Sequence, residues 1–314
     1  MAGGMILMGV FGFFLSVPAA MVLHGIAQTF SNGSRAWRYR RHIKWRVLGY
    51  YSIGAFAVLG LFATLTFVPS IGLVFILIGC FPFLALTLPT TINLDLERGP
   101  VSFFSGIIVT TAQMLAGASG PVLDIFYVES EMSKEAILGT KAVTQTLGHI
   151  LKLIYYAIIM TIASDLIPVW VIPAVVAAAI LGNYCASLLV TRMSDHQFKK
   201  IGRYVIRFIC VIYIGKGIAE GLGEAGGTVY FTGRSTSQQT PPAPMTIQAT
   251  AASVASFGGK AIPVALDHNN DDEVRELFQR VEREQGRLDI LVNNVYQIPS
   301  PPAMGKGFWE HPIS

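Results

Sequence analysis

The sequence predicts an all-α, multi-pass membrane protein of about eight or nine spans, built as two tandem repeats and followed by a partial α/β fragment. Three observations carry this: an apolar composition, a series of uncharged runs of spanning length, and a change of pattern near residue 220. Of 314 residues, 52% are hydrophobic and 13% charged, and the mean hydropathy is +0.53. An ordinary soluble domain carries about a quarter charged residues, so most of this chain is suited to a bilayer. The charge is unevenly spread, because 17 of the 42 charged residues lie in the last 91 positions, after Gly223.

A spanning helix needs about 20 predominantly apolar residues. Residues 47–68, 69–92 and 101–123 meet this with no charge, and 153–191 is interrupted only by Asp165 near Pro168, which gives two spans with a turn there. Shorter candidates are 5–17, 18–33, 135–151 and 204–219. Short cytoplasmic loops are enriched in Lys and Arg. "RAWRYRRHIKWR" carries Arg35, Arg38, Arg40, Arg41, Lys44 and Arg46, and "RMSDHQFKKIGR" carries Arg192, Lys199, Lys200 and Arg203, so both are expected in the cytoplasm. "ESEMSKE", with three acids and one base, is expected on the opposite side. The basic loop reads as a topology determinant rather than a nucleic-acid site, and no nucleic-acid partner is expected. No cleavable signal peptide is expected, since the apolar start has no basic region before it. Cys80, Cys185 and Cys210 all lie in apolar runs without metal-ligand spacing and read as small buried residues.

An offset of 117 aligns "AGGMIL" with "SGPVLD" and "HGIAQTFSNGSR" with "KAVTQTLGHILK". His24, Gln28, Asn32 and Arg35 fall on one helical face, and the offset puts Lys141, Gln145, His149 and Lys152 in the same four places. Polar groups are expensive in a membrane helix, so the doubled stripe faces a wet interior or bonds between helices. The in-span Lys141 favours the wet interior. In "AGASGPVLD", Gly117, Gly120 and Pro121 break the helix, and Ser119 is placed to cap the next one. Such a break either exposes backbone donors and a positive dipole end to an anion or allows close packing. Repeat-built transporters bind substrate where the copies meet.

"AGGMIL", "LHGIAQTFSNGSRAWRYRRHIKW", "GASGPVLDIFYV" and "KAVTQTLGHILKLIYY" resemble the TauE/SafE-type sulfite exporter family, over about residues 1–219. That resemblance implies a permease for sulfite, organosulfonates and related anions in the cell inner membrane. From the doubled stripe and the helix break, Gln28, Lys141 and Gln145 are expected to contact the substrate, Ser119 and Gly120 to present backbone donors, and Asn32 and His149 to line the path. The family's first helix begins before its Gly-rich break, whereas Met1 falls almost on it, so a truncated front is expected. The implied partners are a small anion and the lipid bilayer, with no metal, no cofactor and no catalytic residues. The residues do not indicate an oligomeric state.

After residue 223 the pattern becomes α/β. "GTVYFTG", "AIPVAL" and "DILVNNV" read as buried strands, and Val274, Leu277, Phe278 and Val281 share a helical face with Asp271 as N-cap. Residues 214–314 resemble part of the short-chain dehydrogenase/reductase family, a Rossmann-like fold. "FTGRS" places Arg234 where an NADP 2′-phosphate is met, Asp267 matches the adenine-side acid, and Asn293 lies in the Asn-Asn strand end, from which Val295 and Tyr296 depart. Only "IGKG" stands where the phosphate turn belongs, preceded by the membrane-like "RFICVIY". The family's catalytic Ser and Tyr-x-x-x-Lys would fall after Ser314. Residues 1–219 are therefore expected to form a permease domain, and 220–314 an incomplete, vestigial reductase-like fragment with no enzyme activity. The alternative expectation is an NADP-dependent oxidoreductase fragment on a membrane anchor.

Overall fold

The computed structural model describes residues 3–87, 94–127, 130–163, 167–190, 195–238 and 246–294. Helix α1 (Gly3–Phe14) leads into α2 (Val17–Arg38), whose start is fixed by Pro18 in its first turn and by the Ser16 hydroxyl accepting from Ala19 N. A short 3-10 turn (Arg40–His42) precedes α3 (Trp45–Leu65), and α4 (Ile71–Thr87) follows. The long apolar run at 101–123 is split into α5 (Gly99–Ala116) and α6 (Gly120–Ile125) at Gly117, which has φ +74°. That is the break the glycines and proline foreshadow.

Two helices are longer than their apolar cores suggest. Residues 153–163 continue α7 (Lys134–Ala163), so the stretch from 134 to 163 is one helix of 30 residues rather than parts of two spans. Asp165 lies outside the described residues, and α8 (Val171–Val190) follows. Helix α9 (Asp195–Glu224) is also 30 residues long and runs without interruption through the composition change.

Helix α2 lies antiparallel against α7, α3 packs beside α5, and α4 packs antiparallel against α9. Met8, Met21, Phe75, Met114, Leu123 and Tyr156 are fully buried at the centre. Ile53, Phe56, Leu61, Phe104 and Ile158 are each more than half exposed on the outside, an apolar belt suited to lipid. Three helical stretches, Trp45–Leu65, Gly99–Ala116 and Lys134–Thr161, are long and apolar enough to cross a membrane, and Gly3–Phe14, Ile71–Phe83 and Val171–Gly182 are shorter apolar helices.

One orientation expectation is overturned. The Lys44 N–H donates to Thr140 Oγ1 at 3.0 Å, and Gly139 packs against Tyr39, so the basic loop and the start of α7 share one end of the bundle. Residues 130–133 of "ESEMSKE" lead directly into α7 and therefore lie at the basic end, not opposite it. The cause is the break at Gly117: α5 rises from the basic end, and α6 turns back against α4 and α5, with its Asp124 paired to Lys141 of α7. Charge counting assumes that each long apolar run crosses once, and this run reverses.

The tail forms two parallel strands, β1 (Thr228–Gly233) and β2 (Lys260–Ala265), in register from Thr228 opposite Lys260 to Gly233 opposite Ala265. They are joined through α10 (Ile247–Ser256), capped by Thr246, and followed by α11 (Asp271–Gln285). The N-cap of α11 is Asn270, accepting from Asp272 N, rather than Asp271. Residues 287–294 of "RLDILVNNV" form no strand, and Leu288, Ile290, Leu291 and Val292 are exposed. A parallel strand needs a neighbour to satisfy its backbone. The segment that should supply one, "RFICVIY", is part of α9.

Candidate functional site

The two polar stripes meet because α2 and α7 run antiparallel, which sets the first position of one against the last of the other. Lys152 is fully buried; its Nζ lies 2.8 Å from His24 Nδ1 and donates to the Gly117 carbonyl at 2.8 Å. His24 is also fully buried, and its Nε2 lies 2.8 Å from the Gly4 carbonyl. The Nε2–H tautomer satisfies both contacts, accepting from Lys152 and donating to Gly4. No carboxylate pairs with Lys152 among the described residues. The His149 ring stands edge-on to His24 with centroids 5.4 Å apart. The start of α1, the break after α5 and both stripes therefore converge on the Lys152 amine.

The other residues expected at the site are placed as follows. Asn32 is buried and donates to Gln28 Oε1 at 3.2 Å, and Gln28 lies against Gly4. Gln145 is half-buried on α7, one turn before His149. Lys141 pairs with Asp124, so its charge is already matched within the protein. Ser119 occupies the N-cap position of α6 but does not cap it; its hydroxyl donates to Gln113 Oε1 at 2.9 Å. Gly120 opens α6 beside it. Gln113, fully buried and pressed against Gly148, was not singled out in the sequence, although a lone amide inside the apolar run 101–123 is the signal for it. At the C-terminal end of α2, Ser31, Ser34, Arg35, Arg38, Tyr39 and Leu138 line an open cavity of about 420 Å³. Among the described residues, no group of three or more His, Cys, Asp or Glu is arranged to hold a metal.

The reductase-like residues are only partly assembled. Arg234 and Asp267 meet at the ends of β1 and β2, 3.8 Å apart, the first exposed and the second half-buried, and Asn293 lies in the segment that forms no strand. "IGKG" forms no turn: Ile214 to Gly217 are helical within α9, and Gly217 packs directly on the α4 backbone at Gly72 and Ile76. The glycine serves helix contact there instead of a phosphate cradle. On the far side of the sheet, Tyr230 donates to Glu284 at 2.6 Å and Arg280 to the same carboxylate at 2.7 Å. The Tyr230 bond first, and Arg280 second, hold the Glu284 carboxyl below its usual range.

Apolar helices of spanning length, with helix ends meeting at a buried lysine, fit a membrane protein of the transporter type. Residues 1–214 of the 314 match the family model for the sulfite exporter TauE/SafE, and the chain belongs to that family. Residues 213–308 match the model described as enoyl-(acyl carrier protein) reductase, so the two matches meet inside α9. Curated relatives resemble the reductase-like portion. Dehydrogenase/reductase SDR family member 1 of Mus musculus is 43% identical over 114 residues, and its Homo sapiens counterpart 42% over 114, each match covering 34% of this chain and 34% of the relative. The 2-dehydro-3-deoxy-D-gluconate 5-dehydrogenase of Formosa agariphila is 31% identical over 91 residues, 29% of this chain and 32% of the relative. The chain spans about a third of the length of these relatives. No solved structure matches the chain significantly.

Proposed function

We propose that the chain is a multi-pass permease of the cell inner membrane that moves small oxyanions, sulfite or organosulfonates, between two inverted copies of one helical unit. The buried Lys152, held by His24 and the Gly117 carbonyl with no carboxylate partner among the described residues, carries this reading. A buried amine is costly to protonate unless it is paired, and a transient anion is the partner that a permease supplies. The repeat is supported by the helix starts: α1 and α6 begin at Gly3 and Gly120, and α2 and α7 at Val17 and Lys134, each pair 117 residues apart. Eight or nine spans fit this scheme. Gln28, Lys141 and Gln145 contact the anion on its way, Ser119 and Gly120 offer backbone donors, and Asn32 and His149 line the route.

The tail, taken as residues 220–314, acts in this reading as a reductase remnant without enzyme activity, cofactor or nucleic-acid partner. Its meeting of Arg234 with Asp267 favours a nucleotide-binding ancestry, while the helical "IGKG" argues against a working phosphate turn. The test is sulfite export from cells at matched expression. Lys152→Gln should abolish export, whereas Ile158→Ala on the lipid-facing side should leave it within about twofold of the original, as surface changes do. Equal export by the Lys152→Gln chain would refute the assignment.

A further inference from the structure

The cavity at the basic end of the bundle is built from one face of α2, where Ser31, Ser34, Arg35 and Arg38 stand at i, i+3, i+4 and i+7, together with Tyr39 and with Leu138 of α7. It is open and holds about 420 Å³, within the range of about 300–1,000 Å³ usual for small-molecule sites. Five of its six lining residues carry a polar or charged group, which suits a hydrated ion rather than an acyl chain.

The charge on this face is uncompensated. Among the described residues neither Arg35 nor Arg38 forms an ion pair, and Glu135, one turn before Leu138 on α7, pairs with neither. Elsewhere in the basic loop Lys44 pairs with Glu97, and Arg40 sits over the Trp37 ring. Arg35 also stands close enough to Lys141 for the two cations to repel, while Asp124 answers only the lysine. Arginines in the last turn suit the negative end of a helix dipole. That accounts for their presence on α2 but not for an open cavity on their face or for crowding against a further cation. The missing partner is an anion.

We propose that Arg35 and Arg38 form a capture site for a small oxyanion, sulfite or an organosulfonate, at the basic mouth of the seam between α2 and α7. The proposal rests on the permease reading and gives these arginines a role beyond setting topology. Arg35 follows His24 by eleven residues on α2, about 16 Å at the helical rise, and Gln28 and Asn32 stand between them on the same face. Polar side chains thus lead from the cavity to Lys152. A guanidinium offers a planar fork of N–H donors that takes two oxygens of one anion at once, which a lysine in its place does not. A lipid phosphate carries the same kind of oxygens, but the polar run leading inward favours a free anion.

The experiment combines equilibrium binding of sulfite to the purified full-length chain in detergent with sulfite export from cells. Arg35→Lys and Arg38→Lys keep every positive charge that sets topology and remove only the fork, and Arg41→Gln removes a charge of the same loop outside the cavity. Each lysine variant should bind sulfite about tenfold more weakly, in keeping with one charge-assisted hydrogen bond lost. Each should also raise the KM for export with little change in kcat, as loss of a binding contact does, and Arg41→Gln should bind as the original does. Unchanged affinity in both lysine variants, while Lys152→Gln still abolishes export, overturns the capture site and leaves the permease reading standing. An equal loss of affinity in Arg41→Gln overturns it too, because binding then belongs to the general potential of the loop. Anionic lipid that copurifies with the original chain but not with the lysine variants, with sulfite affinity unchanged, assigns the arginines to lipid headgroups and overturns it. The expected binding losses beside undiminished export in Lys152→Gln would instead keep the oxyanion site and overturn the role given to the buried lysine.

Discussion

Lys141 and Lys152 lie on one face of α7 with different partners: a carboxylate from α6 for the first, a ring nitrogen and a carbonyl for the second. Removing either half of the partly buried Lys141–Asp124 pair strands the other charge. Lys141→Ala and Asp124→Ala should each destabilise the chain, and the double variant should lose less than the sum, with a coupling of about 0.5–3 kcal/mol in a denaturation cycle. Additive losses would mean that the pair does not interact. The stripes themselves were legible in the sequence, because spacing of four residues survives any tertiary arrangement. The Lys141–Asp124 pairing was not, since it depends on α6 folding back. Gln113 escaped notice because one amide in an apolar run has no periodicity to reveal it.

At the scale of elements, the break after α5 depends on Gly117. Its positive φ costs an L side chain about 1–2 kcal/mol, and a Cβ there would press on the sulfurs of Met8 and Met21. Gly117→Ala should lower thermal stability by at least that amount and reduce anion export, since the carbonyl that holds Lys152 belongs to the same residue. A neutral substitution would show that the break is tolerant and not formative. Glycine and proline announced this break in the sequence, but not the reversal of direction, which depends on packing α6 against α4 and α5. The third tail strand failed for a related reason. Its residues have strand propensity, yet pairing is a property of two segments, and its neighbour is helical in α9. Helix α11 gives a pH test. Glu284, held below the usual carboxylate range by Tyr230 and then Arg280, contributes stability above that range and loses it as pH falls through the lowered value. Amide exchange in α11 and β1 should therefore quicken below about pH 4, and Glu284→Gln should remove the pH dependence. Exchange that is flat with pH would separate the contact from the stability of the tail.

At the scale of the whole molecule, α9 belongs to both parts. Its middle packs on α4 through Gly79 and Gly217, and its last turns meet α10, where Glu220 accepts from Ser253 at 2.5 Å while holding Lys216 at 2.6 Å. The change of composition near residue 220 was plain in the sequence, but the shared helix was not, because "IGKG" suits a turn and a close helix contact equally well. Deleting everything after Gly223 keeps the α4–α9 contact and the Lys216–Glu220 pair. The truncated chain should still insert and export anions; loss of insertion would make the tail a structural necessity. The account turns on a transporter that carries a reductase remnant, against a reductase on a membrane anchor. The most direct measurement is sulfite efflux from vesicles reconstituted with the purified full-length chain, with and without NADPH, while NADPH absorbance is followed. The account predicts saturable efflux above protein-free vesicles, unchanged by NADPH and with no NADPH consumed. Background efflux accompanied by saturable NADPH binding that is lost in Arg234→Ala would contradict it.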